Sequence, residues 1–590
     1  MSLDIARSIA VSSLMASQVQ ISVASSNVSN ADTTGYTVKT ANQVSTTSGG
    51  AGTGVAITGI TSNVDKLLFR SLITAESELG AADIDDNYLD RLQALYGSTA
   101  GADDTGTSIA NTLASLEAAV SSLAATTSSA SLQSSVVTAL DDLASQLRET
   151  SNGIQELRST ADAAISSDVD QVNDNLKTIA SLNAQIKQAA AARQPTGDLE
   201  DQRNVALQSV ATRMNVSYFI SSTGDMQVYT ASGQTLVDSS APHLLSFTAA
   251  SSVTATAAYD PNSSSGLSGI SVNGVDVTSQ ITSGEIDALI NLRDTVLPAA
   301  QSQLDQLANE LTDGLNAASN QGTSLPPPST LTGTTTVSSS TALNATGTVR
   351  IAVVDQSGSL VSYGDLDLSN YSTIGDLVSA INGISGLSAS INASGKVVIT
   401  SSSSSNGIAI NEMTSSVGAD GTGLSDYLGL NDLVTGTGAS NFAVRSDILA
   451  NSGLLPVSTL DSSATLTTGG KVLTAGSTDV VDAIYATLTD SRTFSASGGL
   501  GSSTGSFADY AAEIISNVAS KATSAATTYT SKTTVQSTFA SAMSSQSGVN
   551  LDEETAKIST LQNQYSAASQ LIQAINEMFS SLLSAVQSVG

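Results

Sequence analysis

Cysteine and tryptophan are absent from this 590-residue chain, and histidine occurs once, at His243. Without cysteine there is no disulfide, no thiolate metal ligand and no thiol nucleophile, and the compartment stays open. The lone His243 lies beside Pro242 in a turn-like stretch and reads as a surface residue. With it goes any ordinary histidine-dependent hydrolase mechanism. Aromatic residues make up 4% of the chain, so no platform for stacking bases or sugars is evident. Charge is scarce as well, at 12% of residues, about half the usual globular share. It is also one-sided, 21 Lys and Arg against 52 Asp and Glu, a net charge of −31. Such a surface repels nucleic acid and anionic membranes, so neither is expected as a partner. An enzyme is the least supported class, and no cofactor is expected.

Long apolar runs are lacking too. Ser8 to Ala31 carries no charge over 24 residues, but Ser12, Ser13, Gln18, Gln20 and Asn27 make it too polar to cross a bilayer. Asp4 beside Arg7, with no compact apolar block, makes it a poor secretory signal. It reads as an amphipathic helix kept in the mature protein, with any export by a route that leaves it uncut.

What the chain does have is an apolar seam at each end. Ile558, Leu561, Tyr565, Ala568, Ile572, Ile575, Phe579, Leu582 and Val586 alternate spacings of three and four, as do Leu3, Ala6, Ala10, Leu14, Ser17, Ile21, Ala24 and Val28. Both repeats match a helix facing another helix. Two seams at opposite ends of a long chain must meet each other or copies of themselves, which is the arrangement of a polymerising subunit. The C-terminal repeat is strict and apolar and spans roughly 50 Å at 1.5 Å per residue. The N-terminal one uses Ala and Ser, so it is expected to pack loosely and to gain its order only inside an assembly.

Between the seams the texture changes several times. Asn30 to Tyr36 supplies turn chemistry that ends the first helix, with Gly35 expected at positive φ and Tyr36 packing across the seam. A strand is expected at Val55–Ile60, then helical period from Asn63 to about Ala192 and again over Asp198–Met214. Val216–Ser221 and Met226–Thr230, separated by Gly224, read as a hairpin. Strands are expected at Leu244–Ala250 and Ile270–Val277, and one helix over Glu285–Ala318. Pro326-Pro327-Pro328 reads as a stiff hinge at a domain boundary. Beyond it come strands at Thr348–Val354, Val397–Thr400 and Gly407–Asn411, with a short helix at Ile374–Ile381. Helix resumes near Phe507 and runs, with a break near Ser544–Gly548, into the C-terminal seam.

The expected fold is therefore α+β and mainly α, with nested domains. Residues 1–62 and 549–590 form a terminal coiled-coil module with an extended β segment. Residues 63–325 and 505–548 form an elongated helical bundle with a hairpin, and 330–504 an inserted β-rich outer domain.

Three motifs invite a chemical reading and fail it. The acidic clusters Asp83-Ile84-Asp85-Asp86 and Asp103-Asp104 lack the alternation, central Gly and terminal Glu of a calcium loop. Gly469-Gly470-Lys471 is followed by Val472, not the Ser or Thr of a phosphate loop. Asp201 near a helix start suits the helix dipole. For Arg203, a local ion pair and an interface contact both stand.

Asn27-Val28-Ser29-Asn30-Ala31-Asp32-Thr33-Thr34-Gly35-Tyr36 resembles the turn after the first helix in bacterial flagellar rod, hook and hook-associated proteins. Ser547-Gly548-Val549-Asn550-Leu551-Asp552-Glu553-Glu554 resembles the C-terminal signature of the hook-associated junction family. Gly52-Thr53-Gly54-Val55, Leu199-Glu200-Asp201-Gln202-Arg203 and Ser283-Gly284-Glu285-Ile286 resemble it in the same order. Together the likeness covers roughly 1–325 and 505–590. Asp376-Leu377-Val378-Ser379-Ala380-Ile381-Asn382 resembles a repeat inserted in flagellar axial proteins.

The resemblance implies an extracellular structural adaptor joining hook to filament, exported through the flagellar type III channel. Implied partners are copies of itself, the hook protein, a neighbouring hook-associated junction protein and an export chaperone at the C-terminal helix. The expected assembly residues are Leu3, Leu14, Ile21, Asn27, Asn30, Gly35, Tyr36, Ile558, Leu561, Tyr565, Ile572, Ile575, Phe579 and Leu582. The competing class is a surface adhesin or secreted binding protein acting through 330–504, with the helical ends as a stalk.

Overall fold

A computed structural model describes residues 3–97, 108–239, 241–262 and 266–589. The acidic pair Asp103-Asp104 lies outside the described residues. The chain opens with helix α1 (Leu3–Ser29) and a long antiparallel hairpin, β1 (Lys39–Ser48) and β2 (Ala51–Ser62). The hairpin folds back along α1, where the N–H of Val55 donates to the Ser12 hydroxyl at 3.1 Å. Gly54 meets Ser12 there, at φ +137°, and an added Cβ would lie 2.1 Å from the hydroxyl, so only glycine fits.

The bundle follows: α2 (Lys66–Tyr96), α3 (Ile109–Ala125), α4 (Ala130–Ala191) and α5 (Gly197–Arg213). Asp65 caps α2 by accepting from the N–H groups of Leu67 and Leu68, satisfying donors that a helix start leaves open. α4 is 62 residues long, about 93 Å at 1.5 Å per residue. Its apolar stripe (Leu140, Leu147, Ile154, Ala161, Ile165, Val172, Leu176, Ile179) is wholly buried, each position three, four or seven residues from the next. That stripe is the spine of the main core.

A small sheet rests on the bundle: β3 (Val216–Ile220), β4 (Met226–Thr230) and β5 (Thr235–Val237), in the order β3-β4-β5. The next two expected strands are cut short. Leu244–Ala250 shrinks to β6 (Leu245–Ser246), because the Ala250 N–H is taken by the buried Asp162 carboxylate at 2.6 Å rather than by a ladder. Ile270–Val277 splits into β7 (Ser271–Val272) and β8 (Val275–Asp276), since Asn273 and Gly274 both sit at positive φ and turn the chain. Two wholly buried guanidiniums hold the intervening loop onto the bundle. Arg158 donates to the carbonyls of Thr254, Ala257 and Arg293, while Arg293 pairs with Asp162 and Asp294, both at 2.7 Å.

The expected helix over Glu285–Ala318 is α6 (Glu285–Asn291) and α7 (Leu297–Ser319), joined through a π-helical turn, Leu292–Val296. Pro298 has no N–H for the carbonyl four residues back, and the helix widens by one residue where that bond is lost.

Strands β9 (Thr330–Thr332), β10 (Ala345–Thr346), β11 (Thr348–Asp355), β12 (Leu360–Asp367), β13 (Leu387–Ile391), β14 (Val397–Ser401) and β15 (Asn406–Asn411) follow, with α8 (Ile374–Asn382). They form sheets ordered β12-β11-β15 and β13-β14-β9 around a separate core that includes Leu343, Ile351, Leu377, Ile399 and Ile410. The proline stretch is stitched to this unit, not left as a hinge. The N–H of Ile408 donates to the Pro328 carbonyl at 2.9 Å, and that of Ser401 to the Ser329 carbonyl at 2.8 Å.

The expected β-rich stretch to 504 is shared between cores, and Leu460, Val472 and Leu473 pack on Ala352, Val354 and Ala409 of the sheet. That separate core runs from Leu331 to Leu430, while Leu433, Phe442, Ile448, Val480, Leu488 and Phe494 join the main core. Helix α9 (Leu424–Leu428) still belongs to the separate core, whereas α10 (Ser446–Ala450) and α11 (Asp479–Thr489) lie in the return, with α11 against α3 and α7. The seam between the two units is made by amides at the end of α7. The Asn316 side chain accepts from the N–H groups of Leu433 and Val434 and donates to the Val434 carbonyl, replacing a strand partner.

Two helices close the chain, α12 (Phe507–Ser547) along α2 and α13 (Leu551–Val589) along α1. The break at Gly548 lies within the expected stretch, where the N–H of Gly548 closes on the Ser544 carbonyl at 2.8 Å. No described helix is long and apolar enough to cross a membrane.

Candidate assembly site

Asn27 contacts Glu554 at one end of the terminal pair, and Leu3 lies beside Ala574, Met578 and Leu582 at the other, so α1 and α13 run antiparallel. On α1 the buried positions include Ala10, Ser17 and Ala24; on α13 they are Glu554, Leu561, Ala568 and Ile575. Each set advances by seven residues, the step that keeps one face of a helix toward its partner. Small residues on α1 bring the backbones close, and α13 supplies the bulk. α1 is flanked by β2 as well, so a single chain already gives it two neighbours.

The expected seam residues fall into three groups. Leu561 and Ile575 are buried, while Leu3, Leu14, Ile21, Ile558, Ile572 and Phe579 are half-buried. Tyr565 and Leu582 are exposed, at 38% and 56%. Leu571, Met578, Leu583 and Val586 are exposed too, along with Met15 on α1. The first three were not among the expected residues. Their signal is a second apolar row on α13, overlapping the first, which a search for one seam passes over.

At the root of the pair lies a buried polar joint. Asn27 is fully buried and every part of its carboxamide is engaged. Its Oδ1 accepts from the Lys39 N–H at 3.0 Å and the Tyr36 hydroxyl at 2.9 Å. Its Nδ2 donates to the Lys39 carbonyl and to Glu554 Oε2, each at 3.0 Å. A carboxamide thus stands in for a strand partner at the first residue of β1 and ties it to α13. Asn30 closes α1, its N–H and Nδ2 both reaching the Ser26 carbonyl, at 3.1 and 3.0 Å.

Gly35 sits at φ +76°, and a Cβ there would come within 2.2 Å of Val205 Cγ2 on α5. Tyr36 lies under the Lys39 ammonium, 4.4 Å from the ring centroid, and burial pushes its phenol up. It bonds Asn27 rather than crossing to α13.

Lys39 is the second half of the joint. Its ammonium pairs with Asp201, and Asp201 also accepts from the Thr37 N–H at 2.9 Å and hydroxyl at 2.7 Å. Both charged side chains are below 8% exposed, so the pair is compensated internally. Asp201 therefore fixes the turn, beyond any service to its own helix dipole. Arg203 faces elsewhere, donating to Asn183 Oδ1 and the Gly224 carbonyl at 2.8 and 2.7 Å. It is neither Asp201's partner nor exposed.

The start of α13 and the end of α12 complete the joint. The Val38 N–H donates to the Ser547 carbonyl at 2.8 Å, and the Ser547 hydroxyl to the Asn63 carbonyl at 3.0 Å. Beside these bonds a cavity of about 300 Å³ opens between Gly35, Phe69, Leu72, Val205 and Met543. Glu76, Asn204, Gln208 and Ser544 line it as well, so apolar and polar side chains meet in the joint.

The remaining motifs have local partners. Asp85 on α2 is pushed up to about 6 by burial and by Asp287. Lys471 donates to the Ser357 hydroxyl at 2.8 Å, pinning its turn to the β11–β12 connection. Among the described residues, no group of three or more His, Cys, Asp or Glu side chains is placed to hold a metal ion.

Comparison with known proteins bears on this geometry. Residues 90–333 match the family model for the flagellar hook-associated protein FlgK helical domain. Residues 8–37 match that of flagella basal body rod proteins, 540–585 that of the flagellar basal body rod FlgEFG protein C-terminal region, and 348–403 the flagellin hook IN motif. Flagellar hook-associated protein 1 of Salmonella typhimurium is 23% identical over 323 residues, 53% of this chain and 56% of that protein. The Escherichia coli K12 protein of the same name is 22% identical over 322 residues, with the same coverage. The chain thus spans about half the length of the curated relatives it matches. The fold is similar to the solved flagellar hook junction protein FlgK of Burkholderia pseudomallei, with a TM-score of 0.50 and 16% identity over 80% of this chain and 99% of that one.

Proposed function

The chain belongs to the flagellar hook-associated protein 1 (FlgK) family, a structural family of the bacterial flagellum, and on that premise we propose that it joins hook to filament by packing its terminal helices into a helical assembly. The observation that carries this reading is the unequal coverage of α13. One face is closed by α1, while Leu571, Met578, Leu582, Leu583 and Val586 stay open. An apolar row of that length on a soluble chain needs a further neighbour.

In this reading α1 and α13 form a coiled-coil module that sets the subunit in the assembly wall. The joint at Asn27, Lys39, Asp201 and Glu554 sets the angle at which the bundle leaves it. The unit over 331–430 is carried outward. The hook protein and a neighbouring hook-associated junction protein take the two axial sides, and an export chaperone covers the open row of α13 before assembly. The location is extracellular, at the flagellum.

Deleting residues 555–590 tests the proposal. The expected product is soluble and keeps the bundle and outer unit folded, but leaves cells with hooks that shed filament subunits into the medium. Intact filaments on cells carrying only the truncated chain would falsify the assembly role of α13.

A further inference from the structure

The only histidine of the chain touches an Asn-Gly pair. Asp238 Oδ2 lies 3.0 Å from His243 Nε2, and a carboxylate only accepts, so that nitrogen carries the proton. Nδ1 is then the acceptor, and it lies 3.1 Å from Asn273 Nδ2. The arrangement is braced on its inner side. The N–H of Ala241 donates to Asp238 Oδ1 at 2.8 Å, and that of His243 to the Leu236 carbonyl at 2.8 Å.

We propose that Asn273-Gly274 is a self-deamidation site in which His243 donates the proton to the departing amide nitrogen. Three further Asn-Gly pairs show what this one has. Asn152-Gly153 lies inside α4, where the helix ladder holds the glycine nitrogen away from the side chain. Asn382 is clamped by three bonds, Nδ2 to the carbonyls of Val378 and Ala389 and Oδ1 from the Ala389 N–H. Gly407 of Asn406-Gly407 is buried in β15 against Pro327. Asn273 and Gly274 are exposed at a hairpin tip, and no atom lies within 4 Å of where a Gly274 side chain would stand. The strands β7 and β8 are two residues each, so the tip opens at little cost and lets the glycine nitrogen reach the carboxamide.

The balance closes without a redox partner. The Gly274 backbone nitrogen bonds to Asn273 Cγ as the carbonyl pair moves onto Oδ1, and it gives its proton to water. In the resulting tetrahedral centre the former amide nitrogen has a free lone pair. Nδ1 takes a proton from water and passes it to that nitrogen as the oxyanion re-forms the carbonyl and the C–N bond breaks, and ammonia leaves with the bonding pair. Water then opens the succinimide to aspartate or isoaspartate. Asp238 holds the ring so that Nδ1 faces the leaving group, which is what general acid catalysis requires.

The test is to incubate the purified full chain at neutral pH and follow each Asn-Gly peptide by mass spectrometry, separating aspartate from isoaspartate. Asn273 is expected to convert first, and His243→Gln, checked for an unchanged circular dichroism spectrum, to slow it by roughly 10-fold or more. Adding imidazole to His243→Gly is expected to restore the rate at Asn273 without raising that at Asn382. Two results overturn the proposal: conversion at Asn273 no faster than at Asn382, or equal or faster conversion in both His243 variants, which would make the histidine contact a protecting one.

Discussion

α4 and α13 carry the same kind of apolar period and end in opposite states. On α4 the stripe from Leu140 to Ile179 is closed by neighbours that include α2, α3, α5, α6 and α7, and its members are wholly buried. On α13 only Leu561, Ala568 and Ile575 among the apolar positions are buried, and beyond Ile575 Phe579 is half-buried while Met578, Leu582, Leu583 and Val586 are open, to 66% at Val586. Leu3 of α1 lies beside Met578 and Leu582, four residues short of Val586. The apolar face of α4 is used up in folding, and in the proposed assembly the open part of that of α13 serves association. Period alone cannot separate the two, because both tasks need a face that repeats with the helical turn.

The comparison can be broken by substitution, and the largest effect is expected where charge is buried. Asp201→Ala leaves the Lys39 ammonium without its carboxylate in a site less than 8% exposed. A loss of about 3–5 kcal/mol in the unfolding of the part that contains the joint is expected, read by urea denaturation. An unchanged midpoint would mean water replaces the carboxylate and the joint is soft.

Leu176→Ala on the closed stripe should cost about 2–5 kcal/mol, measured in the same way. If it cost no more than a surface change, α4 would not be the spine of the core.

A smaller effect is expected from pH. Burial, the neighbouring Asp168 and Asp83 push Glu285 up to about 7, against the pull of Arg213. The folded chain then holds a proton that the unfolded chain, with an ordinary carboxyl near 4.5, has released. Stability from this site is full below the unfolded value and is lost as pH rises through about 7. Glu285→Gln should flatten that part of the profile of melting temperature against pH, and a parallel profile would assign the slope elsewhere.

The smallest effect on folding is expected at the open end of α13. Leu582→Ser with Leu583→Ser should move the monomer's stability by no more than about 0.5 kcal/mol per site. The same pair should nonetheless abolish filament attachment in a swimming assay. Normal motility would erase the distinction between the two helices.

How far the residues themselves carried the reading differs from place to place. The terminal helices, the turn at Asn30–Tyr36, the hairpin after Met214 and the break at Gly548 were legible, because each rests on a period or on turn residues a few positions apart. Gly35 at positive φ was legible for the same reason. The strand expected at Leu244–Ala250 was not, since the Asp162 carboxylate that takes its N–H lies 88 residues away in sequence. The sharing of 330–504 between cores was not legible, because residues such as Phe442 and Leu488 look alike whether they join one core or the other.

The order of residues fixes where helices run, which of their faces are apolar, and the lack of thiol chemistry. These follow from local spacing and composition. Only the tertiary structure decided that Asn27 answers Glu554 across 527 residues, that Asp201 neutralises Lys39, and that α1 closes one face of α13 while leaving its end bare. Those outcomes depend on which distant groups are brought within bonding distance, and a buried polar group is satisfied by geometry rather than by its neighbours in the chain.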